Sequence, residues 1–559
     1  MNANPNTTHR AAASDPSDAE FDFDWVIVGS GFGGSVAALR LAEKGDRVGV
    51  IERGRSYQDG DLPTSTTDID RFVWAPDQGL YGILRDVAFR HVETASQTGV
   101  GGGSLMYGGV LFRAQNGFYD DPQWGHLGSW QQTLEPHFDK AERMLGVSES
   151  PYDSVSIQLT KRIGEHFGVA DSFGLAPTGV FFGEPGKTVD DPYFGGEGPA
   201  RTGCTRCGDC MIGCRTGAAN RLTKNYLWFA QKRGAQIIAE QEVIDVQPLG
   251  APDGADGYRI VTEQRSPDGS RGRAEYTARG VVFAGGAVAT NELLADCKHR
   301  GSLPRISDRL GHLVRTNSET FLSVQFPEDL GAWQDVTAPS RLIFGADTQV
   351  ELLTVGKNAD AWQGKFTVLT GKGNVLVRRI KWLTTVTLHP RRWKATKRSE
   401  GWSARSIAML VMQPRDNAVR LRAQKRSTGD GYSLVSEIDK ARPAPTFLDV
   451  GHKVAKWLAE ETGGVAGSTF TEAFRNAPWT AHILGGAVIG SDPATGVVDS
   501  KLRVFGYQNM IVCDAAALPA NPGVNPALTI TALAEYGMAQ LPGFSRDEDC
   551  DRPHAGALQ

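Results

Sequence analysis

Long apolar runs are missing from this chain: no stretch approaches the roughly 18 uninterrupted apolar residues that a membrane span requires. Residues Met1 to Glu20 also lack the basic start and apolar core of a signal peptide, being polar and rich in Ala, Ser and Asp. They read as a disordered tail on a cytoplasmic protein, and residues 546–559 as a second tail. A strong charge of one sign is absent too. The formal net charge of -5 gives no reason to expect a nucleic-acid partner. Internal repeats and low-complexity tracts are not found outside the tail. Cysteine is scarce, with 7 in 559 residues. Glycine is not: 66 of them imply many tight turns and close backbone approaches. The length exceeds what one core usually supports, so two intimately joined domains are expected.

The few cysteines are unevenly placed. Four fall in "GCTRCGDCMIGCRTG" as Cys204, Cys207, Cys210 and Cys214, a C-x2-C-x2-C-x3-C spacing. Small bacterial ferredoxins hold an iron–sulfur cluster with such a run. Clustered thiols in an unexported protein more often bind metal or do redox chemistry than form disulfides. Four ligating thiolates would suit a [4Fe-4S] cluster and three a [3Fe-4S] cluster; a structural Zn(Cys)4 knot and unligated thiols are the competing readings. Arg215 stands where a proline usually closes a ferredoxin run. Cys297, Cys513 and Cys550 are scattered and read as structural or incidental.

"DWVIVGSGFGGSVAALRLAEKGDRVGVIERG" has a legible order. Trp25 to Val28 make an apolar strand, Gly29, Gly31 and Gly34 form Gly-x-Gly-x-x-Gly, and Ser35 to Lys44 carry helical periodicity. Arg47 to Ile51 is a second strand ending on Glu52. Gly29 permits the turn, Gly31 lets a pyrophosphate approach the backbone, and Gly34 allows close helix–strand packing, while the helix N-terminus supplies donors. Glu52 is placed to accept from a ribose hydroxyl. Together these predict a dinucleotide site, and the fingerprint is shared by FAD and NAD.

A second glycine-rich loop, "TGVGGGSLMYGG" from Thr98 to Gly109, follows. With it the chain resembles the GMC (glucose-methanol-choline) oxidoreductases, in particular their cholesterol-oxidase-like branch. "VVFAGGAVATNELL", "TAHILGGAVIG" and "YQNMIVCDAAALPANPGVNPALTITALAE" are similar to later blocks of that family. The resemblance implies an α/β fold, with a Rossmann-type FAD-binding domain and an antiparallel-sheet substrate domain. It also implies FAD as cofactor. Gly99, Gly101, Gly102, Gly103, Ser104 and Tyr107 would lie along the flavin, with Tyr107 replacing an asparagine. Asp514 would contact the FAD chain, and the segment from Gly523 to Thr529, with Asn525 and Thr529, would pass beside the isoalloxazine.

Hydride leaves an alcohol carbon readily only when the hydroxyl proton is removed or strongly hydrogen-bonded. By the same resemblance, His482 and Asn525 would face the substrate hydroxyl. Ile483 stands where relatives show proline. Glu351, in the strand-like "ADTQVELLTVG", is similarly placed to a glutamate base that moves a proton during double-bond migration. Buried beside a steroid ring, it would have a raised pKa. A solvent-facing strand glutamate is the alternative.

The expected activity is FAD-dependent oxidation of a bulky apolar secondary alcohol such as a 3β-hydroxysteroid, with isomerisation to the 4-en-3-one as an optional second step. Two alternatives accompany it: an iron–sulfur-linked dehydrogenase on a non-steroid alcohol that passes electrons to a partner protein, and a non-redox FAD-containing lyase. The expected FAD-binding domain comprises 21–125, 200–310 and 480–545. The substrate-binding domain would comprise 126–199 and 311–479, where strand-like alternation recurs in "SIAMLVMQ" and "SLVSEI". Within it, "GKGNVLVRRIKWLTTVTLHPRRWKATKRSEGW" carries nine basic residues and no acid before Glu400, with Trp382, Trp393 and Trp402 interleaved. It reads as a peripheral membrane contact, a face for an acidic redox partner, or a solvated loop.

Overall fold

The structure is a computed structural model that describes residues 21–265, 270–427 and 431–544. The two expected tails therefore lie outside the described residues.

The first apolar segment forms the strand Phe23–Val28, and the glycines lead directly into the helix Phe32–Ala42 and the strand Val48–Ile51. These are the expected elements, with the helix starting three residues earlier than its periodicity predicts. The strands pair in parallel, Trp25 opposite Val48 and Val28 opposite Ile51. Gln236–Ile238 extends the parallel edge. On the other side the C-terminal half of Arg271–Phe283 runs parallel to Phe23–Val28 and to Met510–Val512, while its N-terminal half pairs antiparallel with Tyr258–Arg265, which in turn pairs antiparallel with Glu242–Pro248. The helix Phe32–Ala42 packs on the parallel part, whose strands are buried almost throughout, which is why they are continuous apolar runs rather than alternating ones.

A second seven-stranded sheet is purely antiparallel. Its order is Phe366–Val368, Val465–Thr469, Thr320–Gln325, Ser406–Met412, Thr348–Leu353, Ser340–Phe344 and Gly174–Leu175. The central strands are buried on both faces. Helices Val155–Phe167 and Asp449–Glu461 pack on one side, and the cavity described below lies on the other.

Two elements pack against the dinucleotide-fold half. The helix Trp130–Leu145, expected with the substrate side, packs against the buried helix Ala527–Ala539. "SLVSEI" belongs to a separate four-stranded sheet, Tyr432–Ile438, Val419–Lys425, His312–Arg315 and Leu484–Gly486. Its Val419, Leu421 and Leu434 join the core of the dinucleotide-fold half.

Candidate active site

The cavity between the two sheets has a volume of about 1190 Å³. At one end it is walled by the first glycine loop. A Cβ on Gly34 would lie 2.0 Å from the Gly29 carbonyl oxygen, so the helix approaches the strand as closely as the motif predicts. Gly29, Gly31, Gly33, Gly102 and Gly103 line the cavity. Gly102 has φ +48°, and a Cβ there would stand 2.7 Å from the Gly31 Cα. The two glycine loops thus touch through bare backbone, leaving a smooth cradle at the N-terminus of Phe32–Ala42 for an anionic diphosphate. Gly34, Gly99, Gly101, Ser104 and Thr529, expected along the cofactor, do not line the cavity. They shape what does: the Ser104 hydroxyl donates to the Gly101 carbonyl at 2.7 Å and accepts from the Leu222 amide at 3.0 Å.

Glu52 lines the cavity at the end of its strand. Its carboxylate also accepts from the Ser30 hydroxyl at 2.7 Å, the Ser30 amide at 3.2 Å, the Gly54 amide at 2.9 Å and the Gly99 amide at 3.3 Å. One residue therefore ties the first glycine loop to the second. Asp514 also lines the cavity, and accepts from the Gly286 amide, the Thr290 hydroxyl and the Ala516 amide at 2.8, 2.6 and 2.8 Å. Burial pushes its carboxyl up to about 6 against those three hydrogen bonds.

At the other end the walls become apolar, with Met106, Val110, Phe321, Leu353 and Leu410. Here His482, Asn525 and Tyr107 line the same space. Asn525 lies two residues before the helix Ala527–Ala539, and His482 two residues before the strand Leu484–Gly486. The Asn525 Oδ1 and the Tyr107 hydroxyl are buried and have no partner within the chain. The Tyr107 hydroxyl lies against Gly179, whereas an unpaired Oδ1 on a cavity-lining residue such as Asn525 is what a bound polar group would satisfy.

His482 Nδ1 stands 2.6 Å from Glu319 Oε2, and the other carboxylate oxygen accepts the Ala481 amide at 2.8 Å. Burial disfavours a charged imidazole, but Glu319 and, more weakly, Glu351 outweigh it and raise the His482 pKa. Glu319 was not among the residues expected from the sequence. It is presented by a turn in which Asn317 and Ser318 hold positive φ values of 56° and 47°. The Asn317 side chain donates to the Val524 carbonyl at 3.0 Å and accepts from the Gly523 amide at 3.0 Å. That stitch brings Glu319 and Asn525 to one place.

Glu351 is wholly buried in the strand Thr348–Leu353, not solvent-facing. It does not line the cavity. Its Oε1 accepts from Gln349 Nε2 at 2.6 Å, and its Oε2 has no hydrogen-bond partner. Burial pushes its carboxyl up to about 7, opposed by Gln349, His482, Asn525 and Arg341.

The four-cysteine run departs from its expectation. Cys204, Cys207, Cys210 and Cys214 line one small cavity of about 20 Å³, walled otherwise by Val180, Ala218 and Ala219, with Asp209 and Asp335 at its rim. That is room for roughly one water. Among the described residues no group of three or more His, Cys, Asp or Glu is arranged to hold a metal ion. Burial raises the thiol pKa values of Cys204, Cys207 and Cys210, which keeps them protonated. Cys204, Cys210 and Cys214 pack with Val180, Ala218 and Val336 in a small apolar cluster, an arrangement that gives a cluster or zinc no support. The loop still reaches the flavin end of the site: Met211 lines the large cavity, and Cys210 faces Tyr107.

The basic stretch is not a loop. It folds as the helices Val375–Leu388 and Pro390–Lys397. Two of its tryptophans point inward: Trp382 Nε1 donates to Thr367 Oγ1 at 2.9 Å, and Trp402 stacks on Phe366.

The comparisons with known proteins agree with this architecture. A family model described as an FAD binding domain matches residues 24–61, and models described as GMC oxidoreductase match 200–306 and 423–534. A cholesterol oxidase from Mycobacterium tuberculosis is 41% identical over 548 residues, covering 96% of this chain and 93% of that protein. A cholesterol oxidase from Acinetobacter baumannii is 37% identical over 529 residues, covering 93% and 95%. The crystal structure of pyridoxine 4-oxidase from Mesorbium loti matches with a TM-score of 0.58 over 92% of this chain and 98% of that one. At 16% identity it speaks for the fold alone.

Proposed function

Because the chain belongs to the GMC oxidoreductase family, we propose that this FAD-dependent alcohol oxidoreductase acts on a 3β-hydroxysteroid such as cholesterol, converting it to the ketone. The observation that carries the reading is the convergence of His482 and Asn525 on one apolar-walled cavity, with Glu319 behind the imidazole. The two relatives named cholesterol oxidase support the substrate class.

FAD, held by the paired glycine loops, Glu52 and Asp514, supplies the hydride acceptor when bound. The remaining chemistry belongs to the chain. Glu319 accepts the Nδ1 proton of His482, which leaves Nε2 with its lone pair as the group available to the cavity. Nε2 takes the substrate hydroxyl proton as the carbon loses its hydride, and the hydroxyl becomes a carbonyl. The Asn525 carboxamide orients the same hydroxyl before transfer, its unpaired Oδ1 offering the O–H an alternative acceptor to Nε2. The apolar walls of Met106, Val110, Phe321, Leu353 and Leu410 exclude water and accommodate fused hydrocarbon rings. Glu351 is a positioning residue in this scheme, acting through Asn525 and His482 rather than on the substrate. Since it is absent from the cavity wall, ring isomerisation is not part of the proposal.

Anaerobic addition of detergent-dispersed cholesterol to purified holoenzyme tests the reading. Loss of the oxidised-flavin absorbance, with one cholestenone-type ketone formed per flavin, is expected. Bleaching by linear long-chain alcohols but not by sterols would reject the substrate, and no bleaching by any alcohol would reject the redox role. Admission of oxygen then reads the acceptor: one peroxide per ketone marks an oxidase.

A further inference from the structure

Seven large hydrophobic side chains are exposed among the described residues, and five of them, Leu376, Val377, Ile380, Leu383 and Leu388, lie on the helix Val375–Leu388. Their spacing is not random. Leu376, Ile380 and Leu383 fall at i, i+4 and i+7, one narrow stripe of a helical surface, and Arg378, half a turn away, is fully buried. That buried guanidinium fixes the helix with its apolar stripe outward. It donates to the carbonyls of Glu472 at 2.8 Å and Thr446 at 2.7 Å, and pairs with the Glu472 carboxylate at 3.2 Å.

Cations surround the stripe. Lys372, Arg379, Lys381, Arg391, Arg392, Lys394, Lys397 and Arg398 are all exposed, and none forms a salt bridge among the described residues. The chain contains no Asp or Glu from Lys372 to Ser399. An excess of eight exposed positive charges within one 27-residue stretch of a protein of net charge -5 is a local feature, not a composition effect.

We propose that this face, the outer stripe of Val375–Leu388 with the cations of Pro390–Lys397, docks flat on an anionic lipid bilayer. A 14-residue helix is about 21 Å long, too short to cross the roughly 30 Å hydrocarbon core, and no helix among the described residues is long and apolar enough to span it. An amphipathic helix lying in the interface buries its apolar stripe among acyl chains while its cations meet headgroup phosphates. An acidic protein partner would match the charge but leave the leucines and isoleucine unexplained. A second copy of this chain would set the cations against their own equivalents. The helices also brace the Phe366–Val368 edge of the sheet whose Phe321, Leu353 and Leu410 wall the cavity, so docking places the apolar wall near the lipid surface. The inference goes beyond the substrate assignment and does not rest on it.

Co-sedimentation of the holoenzyme with sterol-free vesicles tests it independently of turnover. Vesicles of phosphatidylcholine with phosphatidylglycerol should pellet the protein, phosphatidylcholine alone should pellet far less, and added salt should release it. The triple variants Leu376→Ser/Ile380→Ser/Leu383→Ser and Arg391→Gln/Arg392→Gln/Lys394→Gln should each weaken partitioning at least about tenfold. Both should keep their flavin absorbance and their rate on detergent-dispersed alcohol, because the altered side chains face solvent. No pelleting with anionic vesicles, or pelleting that the variants leave unchanged, would overturn the proposal. So would a concentration-dependent dimer by light scattering that the same variants abolish, or binding to an acidic protein without binding to vesicles.

Discussion

His482 and Glu319 lie 163 residues apart in the chain and 2.6 Å apart in the fold, with the carboxylate on Nδ1. With the carboxylate on Nδ1, the other ring nitrogen is the one left for the cavity that His482 lines. The pairing also sets when the ring is charged.

Glu319→Gln should therefore lower kcat by on the order of 10²-fold while the flavin spectrum is retained. The pH profile supplies the sharper reading. Glu319 raises the His482 pKa, and a base must be neutral to act, so the acid limb of kcat/KM should move to lower pH in the variant. An unshifted limb would remove His482 from the role of base.

Asn525→Ala removes a carboxamide that has no structural partner for its Oδ1. Its expected cost falls on kcat, roughly 10²-fold or more, with little change in thermal stability. Stopped-flow flavin reduction separates the two: normal flavin content with slow bleaching is predicted, whereas loss of flavin would make Asn525 a cofactor residue first.

Glu351 gives a stability signature with a definite sign. Its native pKa is pushed up to about 7 by burial, from an ordinary value of 4.5. Between those values the native state holds a proton that the unfolded state has lost, so this group's contribution to stability falls as pH rises through that window. Glu351→Gln should abolish that fall, stabilising the protein by up to about 3 kcal/mol at pH 8 while leaving pH 5 nearly unchanged. Differential scanning calorimetry at the two pH values checks it.

Gly102→Ala would place a Cβ 2.7 Å from the Gly31 Cα, at a backbone φ of +48°. Purified variant should show a flavin-to-protein absorbance ratio near zero, since the two glycine loops can no longer meet behind the diphosphate. Full flavin occupancy would show that the cradle yields.

The four thiols can be read by elemental analysis. Iron and acid-labile sulfide in anaerobically purified protein should be absent, and the buried Cys204 should alkylate only on unfolding, while the partly exposed Cys207, Cys210 and Cys214 should react earlier. Stoichiometric iron and sulfide would reinstate the cluster and imply that the cavity of about 20 Å³ opens to receive it.

The dinucleotide half was legible because its signal is contiguous: strand, glycines, helix, strand and Glu52 follow one another within 30 residues, and backbone sterics enforce each one. His482 and Asn525 were legible for the same reason, each sitting in a block recognisable by itself. Glu319 was not. Its only local mark is the Asn317-Ser318 pair, residue types that tolerate a left-handed turn, and nothing in that turn names an imidazole far down the chain. The cysteine spacing carried a true local regularity, but whether thiols converge depends on how Gly208 and Gly213 direct the loop, which spacing does not encode. In the basic stretch, for which a solvated loop was one of three readings, the charges mask a helix whose anchoring residue, Arg378, is itself a cation.

Cys513, beside the strand Met510–Val512, directs its thiol at the carbonyl of Gly33, 480 residues earlier in the chain. A ribosome needs on the order of a minute to deliver both. During that interval the first βαβ unit has emerged without the strand and helix that complete its sheet and close over it. The flavin pocket can take shape only once synthesis has passed Ala539, so cofactor loading is a late event, and the apolar first strand needs shelter from aggregation until then.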